Sequence, residues 1–503
     1  MKPSCLLLIG AMGVFLLTAC SLGVTPSPAT PSPLILTPVL VSPIPSPSPL
    51  PTQTRLPTAT STLPVAPRIP VWGMGLGQIA PGDSSSGFEQ MVQAGIDWVR
   101  TDNVVSWAGV ESVEGKRNWT VLASLAQGWQ TASSLGIKPI VVVRVTPSWA
   151  QEVPGYSCGP IKPDKLGAFA SFMNELVARY SVPPYNVKYW EIWNEPDIDY
   201  RVPSVTPNND WGCWGNQDDA YYGGGVYADM LKVVYPQIKA ADPHAQVLIG
   251  GLLLDCDPRG SPSVCATVHP ADPYADRPPK FLEGILRNNG GPYFDGISFH
   301  AYDYYLSGNL GVYANSNWRS VWNTTGPVLI AKTQFIQSLL MQYGVSGKFL
   351  MNTEVALICG SCSDSTFETT KAYYVAQAYT AAISQGLRAN LWYSVLGWRN
   401  SGLLNADLSP RPAYTAFQFA SSELRDAAFV REITEYAGVK GYEFQRGDRR
   451  IWILWSFDGS THSISLSGVP LAGWRVHDTS VTPVTPAASM DVTLNPLYLE
   501  WNP

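Results

Sequence analysis

Between residues 70 and 421, short apolar runs alternate with longer amphipathic stretches. The runs Val71–Gly75, Trp98–Arg100, Pro139–Val143, Val187–Trp193, Gln246–Leu252, Gly296–His300, Lys348–Asn352 and Ala389–Tyr393 predict strands. Segments between them, such as Leu166–Tyr180 and Thr369–Gln385, carry a helical pattern. Eight strand–helix units in one stretch predict a parallel α/β fold, a (β/α)8 TIM barrel with enlarged loops over residues 70–421. The rival is an open doubly wound sheet, which usually carries a glycine-rich phosphate loop. Gly73-Met74-Gly75-Leu76-Gly77 lacks that loop's GxGxxG spacing and the helix that follows it. It reads as a turn leaving the first strand.

The pattern changes after residue 421. Gly441–Gln445, Arg450–Ser456, Thr461–Leu466, Trp474–Asp478 and Ser489–Leu494 alternate or are β-rich, which predicts a small all-β sandwich domain over 422–503. Phe457-Asp458-Gly459-Ser460 reads as a hairpin, and Arg446-Gly447-Asp448 as turn chemistry in place of an adhesion motif. No Pro- or Ser-rich linker precedes this domain, so a structural role against the barrel is expected ahead of a separate carbohydrate-binding module.

The first 20 residues differ from both. Lys2, the apolar run from Cys5 to Leu17, and Leu17-Thr18-Ala19-Cys20 read as an export signal, too short for an ordinary membrane span. The last four residues resemble a bacterial lipobox, which implies cleavage before Cys20 and a membrane anchor through lipid on that cysteine. An ordinary signal peptide is the alternative. Residues 21–69 are Pro-, Ser- and Thr-rich and read as a disordered, extended linker. Export frames the other cysteines as disulfides. Local loop closure favours Cys256–Cys265 and Cys359–Cys362, leaving Cys158–Cys213. The rival for Cys359-Gly360-Ser361-Cys362 is a redox or metal motif, but no second CxxC accompanies it.

Composition narrows the chemistry. A net charge of -6 argues against a nucleic-acid partner. The 18 Trp and 24 Tyr suit either core packing or stacking on sugar rings. Active sites of (β/α)8 barrels lie at the C-terminal ends of the strands. In this chain those ends carry Arg100 and Asp102, Asn194 and Glu195, His300 and Tyr302, Thr353 and Glu354, and Trp392 and Tyr393, with Trp398 beyond. Two carboxylates facing each other across such a mouth suit glycoside hydrolysis, one as acid and the other as base or nucleophile. With five His, no HExxH and no GxSxG, neither a metal centre nor a serine hydrolase is expected, and no cofactor is called for. Glu191, within the fourth strand, is expected to be scaffold paired with an arginine from a neighbouring strand. Glu111 is expected in the second-strand loop, near the rim.

These residues resemble the clan A glycoside hydrolases. The likeness lies in Trp107, Glu111, Gly115 and Trp119; in Pro139–Val143 with Pro147-Ser148-Trp149; in Trp190–Pro196 with its Asn-Glu-Pro motif; in Phe349–Glu354; and in Arg411–Tyr414. It leans toward family 39. The resemblance implies a retaining enzyme acting on an oligosaccharide or polysaccharide, with Glu195 as acid/base and Glu354 as nucleophile. Arg100 would stand beside Glu354, Asn194 would bind the sugar 2-hydroxyl, and His300 and Tyr302 would shape the site, Tyr302 donating to Glu354. Either Trp392 or Trp398 would form the sugar-stacking floor. The different-class alternative is an inactive, glycan-binding surface lipoprotein.

Overall fold

The computed structural model describes residues 71–79, 85–202, 205–206, 211–268, 271, 273–360, 362, 365–466, 470–477 and 480–503. The export signal, Cys20 and the linker over 21–69 lie outside them. Among the described residues no helix is long and apolar enough to cross a membrane.

Eight strands form the barrel: β1 (Trp72–Leu76), β2 (Trp98–Thr101), β3 (Lys138–Arg144), β4 (Tyr189–Asn194), β5 (Gln246–Leu252), β6 (Gly296–Tyr305), β7 (Phe349–Ile358) and β8 (Ala389–Trp392). Each pairs in parallel with the next, and β8 pairs with β1 to close the ring. Helices α1 (Phe88–Gln93), α2 (Ala123–Ser134), α3 (Leu166–Tyr180), α4 (Gly224–Ala241), α5 (Phe281–Arg287), α6 (Val328–Gln342), α7 (Ser365–Ser384) and α8 (Pro412–Leu424) follow the strands in turn. Inside the barrel Trp98, Ile140, Tyr189, Leu248, Met351, Ala389 and Leu391 pack together, with Phe349 against them. They plug the interior, so the chemistry is confined to the mouth.

Two strands run further than their apolar runs suggest. β6 continues past His300 to Tyr305, and β7 continues past Asn352 to Ile358. In β7 the register against β6 shifts between Asn352 and Glu354, leaving Thr353 as an extra residue. Such a bulge re-aims the next side chain, here Glu354. Sequence patterning marks a strand end wherever polar residues begin. Here those residues remain in the ladder.

The end of β4 is shaped by its neighbour. Trp193 has φ 72°, and the chain bends there. A Cβ on Gly250 of β5 would lie 2.4 Å from the Ile192 carbonyl oxygen and 2.5 Å from that of Trp193. Only glycine leaves room for that approach.

The β domain holds β9 (Ala428–Ile433), β10 (Val439–Arg446), β11 (Arg449–Ser456), β12 (His462–Ser465), β13 (Ala472–His477), β14 (Ser480–Pro483), β15 (Ser489–Val492) and β16 (Leu497–Trp501). Six form one antiparallel sheet in the order β9-β10-β11-β16-β13-β14, and β12 pairs with β15. Ile464, Met490 and Val492 of the small sheet pack on Trp452, Leu454, Leu497 and Leu499 of the large one, giving a sandwich. Sequence reading does not find β9, β14 or β16, which are charged, short and polar, or terminal. The predicted hairpin at 457–460 is a connection between sheets, because β11 and β12 pair with other partners. Gly447-Asp448 form a two-residue turn between the paired Arg446 and Arg449. The domain packs on α8. Phe419 lies edge-on to Tyr498 at 5.0 Å, and Arg446 donates to the carbonyls of Ser422 (2.8 Å) and Glu423 (2.6 Å).

Gly250→Ala should therefore destabilise the protein by roughly 1–3 kcal/mol through overpacking, read as a lowered denaturation midpoint. An unchanged midpoint would show that the β4 bend does not depend on this glycine.

Candidate active site

The bend of β4 delivers Asn194 and Glu195 to the barrel mouth, and it is held from several sides. The Trp193 indole donates to the Cys158 carbonyl (2.8 Å), and Cys158 is disulfide-bonded to Cys213. The Gly212 amide donates to the Asn194 carbonyl (2.5 Å), and the Glu195 amide to the Gly251 carbonyl (3.0 Å). Glu195 has φ 45°, in the left-handed region that non-glycine residues seldom occupy. Such strain persists only where surroundings over-determine it. Its Oε1 lies 2.8 Å from His300 Nδ1. His300 is wholly buried and packs on Gly251, where a Cβ would fall 2.2 Å from Nε2.

Glu354, across the mouth, is gripped at both oxygens. Arg100 Nη1 donates to Oε1 (2.7 Å), and the Tyr302 hydroxyl donates to Oε2. The same guanidinium donates through Nη2 and Nε to Glu191 (2.7 and 3.2 Å) and through Nη2 to Asn194 Oδ1 (2.6 Å). The arginine expected beside Glu191 and the one expected beside Glu354 are thus one residue. Glu195, His300 and Glu354 bring one ligand atom each within 4.8 Å of one another. That trio could in outline hold a cation. Both Glu354 oxygens already accept hydrogen bonds, however, and a fixed guanidinium stands beside them, so the donor set does not suit a metal.

The two carboxylates sit in different fields. Burial pushes Glu195 up to about 7, although Arg100 and Lys332 pull it down. Burial takes His300 down to about 4, so the ring facing Glu195 is neutral at neutral pH. Burial also opposes the charge on Arg100, but Glu191 and Glu354 outweigh it and hold the guanidinium's pKa above its ordinary value. Behind Glu195 lies a circuit that sequence reading misses. Asp197 accepts from the amides of Leu253 (2.9 Å) and Leu254 (2.8 Å), and burial pushes it up to about 7. Lys332 of α6 donates to the carbonyls of Leu253 (2.6 Å) and His300 (2.8 Å), and burial takes it down to about 8. The available signal was a lone lysine on an otherwise apolar helix face, which more often lies at a helix boundary with solvent.

A cavity of about 1290 Å³ opens over these groups. Arg100, Asn194, Glu195, Tyr302, Glu354 and Trp398 line it, together with Asp102, Asp197 and Tyr393. His300 is not part of the lining and acts from behind Glu195. Trp392 does not reach the cavity. It is wholly buried and its indole donates to the Ser401 carbonyl (2.9 Å). Trp398, 42% exposed, does line the cavity, its ring 5.5 Å from that of Tyr302. Lys371 holds its loop through the carbonyls of Asn400 (2.9 Å) and Gly402 (2.8 Å). Glu111, expected near the rim, is 1% exposed. It accepts from Trp107 (3.0 Å), Arg117 (2.9 Å) and the Gly115 amide (2.8 Å), which fold the second-strand loop around it. The expected disulfides Cys158–Cys213, Cys256–Cys265 and Cys359–Cys362 are all present.

No protein-family model matches the chain, and no curated protein matches it in sequence. Solved structures do. One is a family 39 glycoside hydrolase from the gut symbiont Bacteroides cellulosilyticus WH2, at TM-score 0.61 and 18% identity, covering 85% of this chain and 80% of that one. A GH39 beta-xylosidase from Caulobacter crescentus matches at TM-score 0.53 and 15% identity, over 87% and 98% of the two chains. A GH30 endoxylanase from Clostridium papyrosolvens C71 matches at TM-score 0.54 and 12% identity, over 87% and 98%. At such identities the likeness establishes the fold, a (β/α)8 barrel followed by a β domain.

Arg100→Met should destabilise the protein by about 3–5 kcal/mol, because it strips the cation from a buried carboxylate. Adding Glu191→Leu should recover part of that loss in denaturant unfolding. No recovery would mean that Glu191 is not the charge left bare.

Proposed function

We propose that the chain is a retaining glycoside hydrolase that cleaves O-glycosidic bonds of an oligosaccharide or polysaccharide, with Glu195 as acid/base and Glu354 as nucleophile. The observation that carries this reading is the close approach of their carboxylates, oxygen to oxygen within 4.8 Å. Carboxyl groups about 5–5.5 Å apart leave no room for a water between the second carboxylate and the anomeric carbon, whereas inverting enzymes, which place one there, need about 6.5–9.5 Å. The fold shared with glycosidase structures supports the same reading.

In the first step protonated Glu195 gives its proton to the glycosidic oxygen while Glu354 attacks the anomeric carbon. The bond to the leaving group breaks, and a glycosyl ester forms on Glu354. Glu195, now ionised, takes a proton from water, which attacks the anomeric carbon and releases Glu354. Each carboxyl is suited to its part by its neighbours. Arg100 and Tyr302 hold Glu354 by both oxygens and aim it as the nucleophile. Burial beside a neutral imidazole lets Glu195 carry a proton near neutrality. Arg100 fixes Asn194 through Oδ1 for a contact to the sugar 2-hydroxyl, and Trp398 offers the stacking face. We also place the enzyme outside the cytoplasm, anchored through Cys20. Three disulfides support that location.

A panel of activated 2-fluoro sugars, followed by peptide mass mapping, tests the mechanism. One sugar should leave a covalent label on Glu354. No label with any sugar would sink the retaining reading and favour a glycan-binding protein. Glu195→Gln should lower turnover of unactivated glycosides by about 10²–10⁴-fold. A screen of chromogenic glycosides and polysaccharides identifies the sugar.

The pH profile gives an independent check. The acid must be protonated, so kcat/KM should fall as pH rises through about 7, where Glu195 ionises. Lys332 favours the ionised form of Glu195. Lys332→Met should therefore move this basic limb to higher pH, and Lys332→Arg should keep it in place. An unmoved limb in Lys332→Met would show that the lysine is only structural.

A further inference from the structure

The face of the barrel opposite the mouth has a chemistry of its own. It is built from the turns that lead from each helix into the next strand, and from the turn after α8. Lys138, Lys188, Lys348, Arg388 and Arg425 lie in these turns or at the strand starts they lead to. The carboxylates there are mostly taken up. Asp97 pairs with Arg425 (2.7 Å), Asp242 with Lys188 (2.7 Å) and Asp295 with Lys239 of α4 (3.2 Å), and Asp426 is exposed beside Arg425. Lys138, Lys348 and Arg388 make no ion pair among the described residues. A pocket of about 380 Å³ lies between the starts of β3, β4 and β5 and the residue before β8. Lys138, Lys188, His244 and Arg388 line it, and no carboxylate does. The plug of the barrel sets two of these cations: Arg388 lies over the Phe349 ring, 3.4 Å from its centroid, and Lys138 over the Trp98 ring at 5.3 Å. A chain of net charge -6 thus gathers surplus positive charge on one face.

The same face exposes apolar side chains. Leu135, between α2 and β3, is 53% exposed; Val182, between α3 and β4, is 49% exposed; and Met341, in the last turn of α6, is 80% exposed. One exposed apolar residue means little. Cations together with apolar side chains on one face, however, are the composition that seats a protein in the headgroup layer of a bilayer. A soluble acidic polymer would use the cations and leave the apolar side chains in water. The path of the chain points the same way. Val71, the first described residue, enters β1 at its N-terminal end, so the chain that leads back to Cys20 joins the barrel on this face.

We propose that this face docks on an anionic phospholipid surface. Headgroup phosphates meet Lys138, Lys188 and Arg388, while Leu135, Val182 and Met341 enter the headgroup layer. The mouth that carries Glu195 and Glu354 is then turned away from the membrane, toward arriving glycan. The proposal rests on the anchored reading and not on the catalytic mechanism. A lipid on Cys20 alone would not set which way the mouth faces; docking does.

The test uses the full chain on vesicles of phosphatidylcholine, alone or mixed with phosphatidylglycerol, and follows backbone amide exchange by mass spectrometry. On the mixed vesicles, exchange in 135–138, 182–188, 341–348 and 385–388 should slow at least about tenfold relative to phosphatidylcholine, while the loop carrying Trp398 is unchanged. Each Lys or Arg near such a surface contributes about fivefold. Lys138→Gln/Lys188→Gln/Arg388→Gln should therefore return exchange to its phosphatidylcholine rate, and Lys116→Gln/Lys162→Gln, in loops at the mouth, should not. Leu135→Ser/Val182→Ser/Met341→Ser changes only exposed side chains, keeps the fold, and should remove most of the slowing. Inorganic phosphate should slow nothing. The proposal is overturned by no slowing on the mixed vesicles, by slowing at the mouth instead, by equal slowing with inorganic phosphate, or by full slowing in either triple variant. A chain that does not float with phosphatidylcholine vesicles carries no lipid, and the anchored reading then falls; the mixed vesicles still decide the docking face.

Discussion

One buried guanidinium holds the mouth of this barrel together. Arg100 comes from β2, reaches Glu191 and Asn194 on β4, and reaches Glu354 on β7. Desolvating a cation and two carboxylates is costly, and the geometry must return that cost through several charge-assisted hydrogen bonds. Arginine suits this place because its planar fork serves several oxygens at fixed angles, which a lysine could not do. Three strands that the sequence keeps far apart are thereby tied to one side chain.

The division of labour proposed for the two carboxylates follows from what lies beside each. Glu354 faces a fixed cation and a phenol. Glu195 faces a neutral imidazole in a dry setting, and its nearest buried lysine acts from behind His300. Placing two like groups in unlike surroundings is how one site can hold an acid and a base together at one pH. Backbone geometry is part of the arrangement. The left-handed turn at Glu195, the bulge before Glu354 and the glycine pair Gly250-Gly251 each remove a clash or re-aim a side chain. None of them contributes chemistry of its own.

Rigidity at the mouth comes from outside the barrel proper. Disulfides brace the loops after β3, β4, β5 and β7, and buried Lys371 pins the loop that carries Trp398. No described residue of the β domain lines the cavity. It packs on α8 through Tyr498 against Phe419 and Arg446 on the Ser422 carbonyl, and on α7 as well, which fits a packed support for the barrel wall.

By itself the sequence determined the eightfold alternation, the strand ends that converge on one mouth, and the identity of Asn194, Glu195 and Glu354 as its polar residues, because a period of two and a period of 3.6 are local properties. It also determined that Glu191 needs a cationic partner, since a carboxylate inside an apolar strand is too costly alone. Only the tertiary structure decided the rest. That one arginine serves both Glu191 and Glu354 depends on a distance between strands. Lys332 and Asp197 joined the site because packing, not spacing, brought α6 and the β5 loop behind Glu195. The choice between Trp392 and Trp398 turned on which indole the barrel wall buries. The edges of the β domain were equally illegible, since β9 and β14 are strands by virtue of their neighbours and not their own pattern.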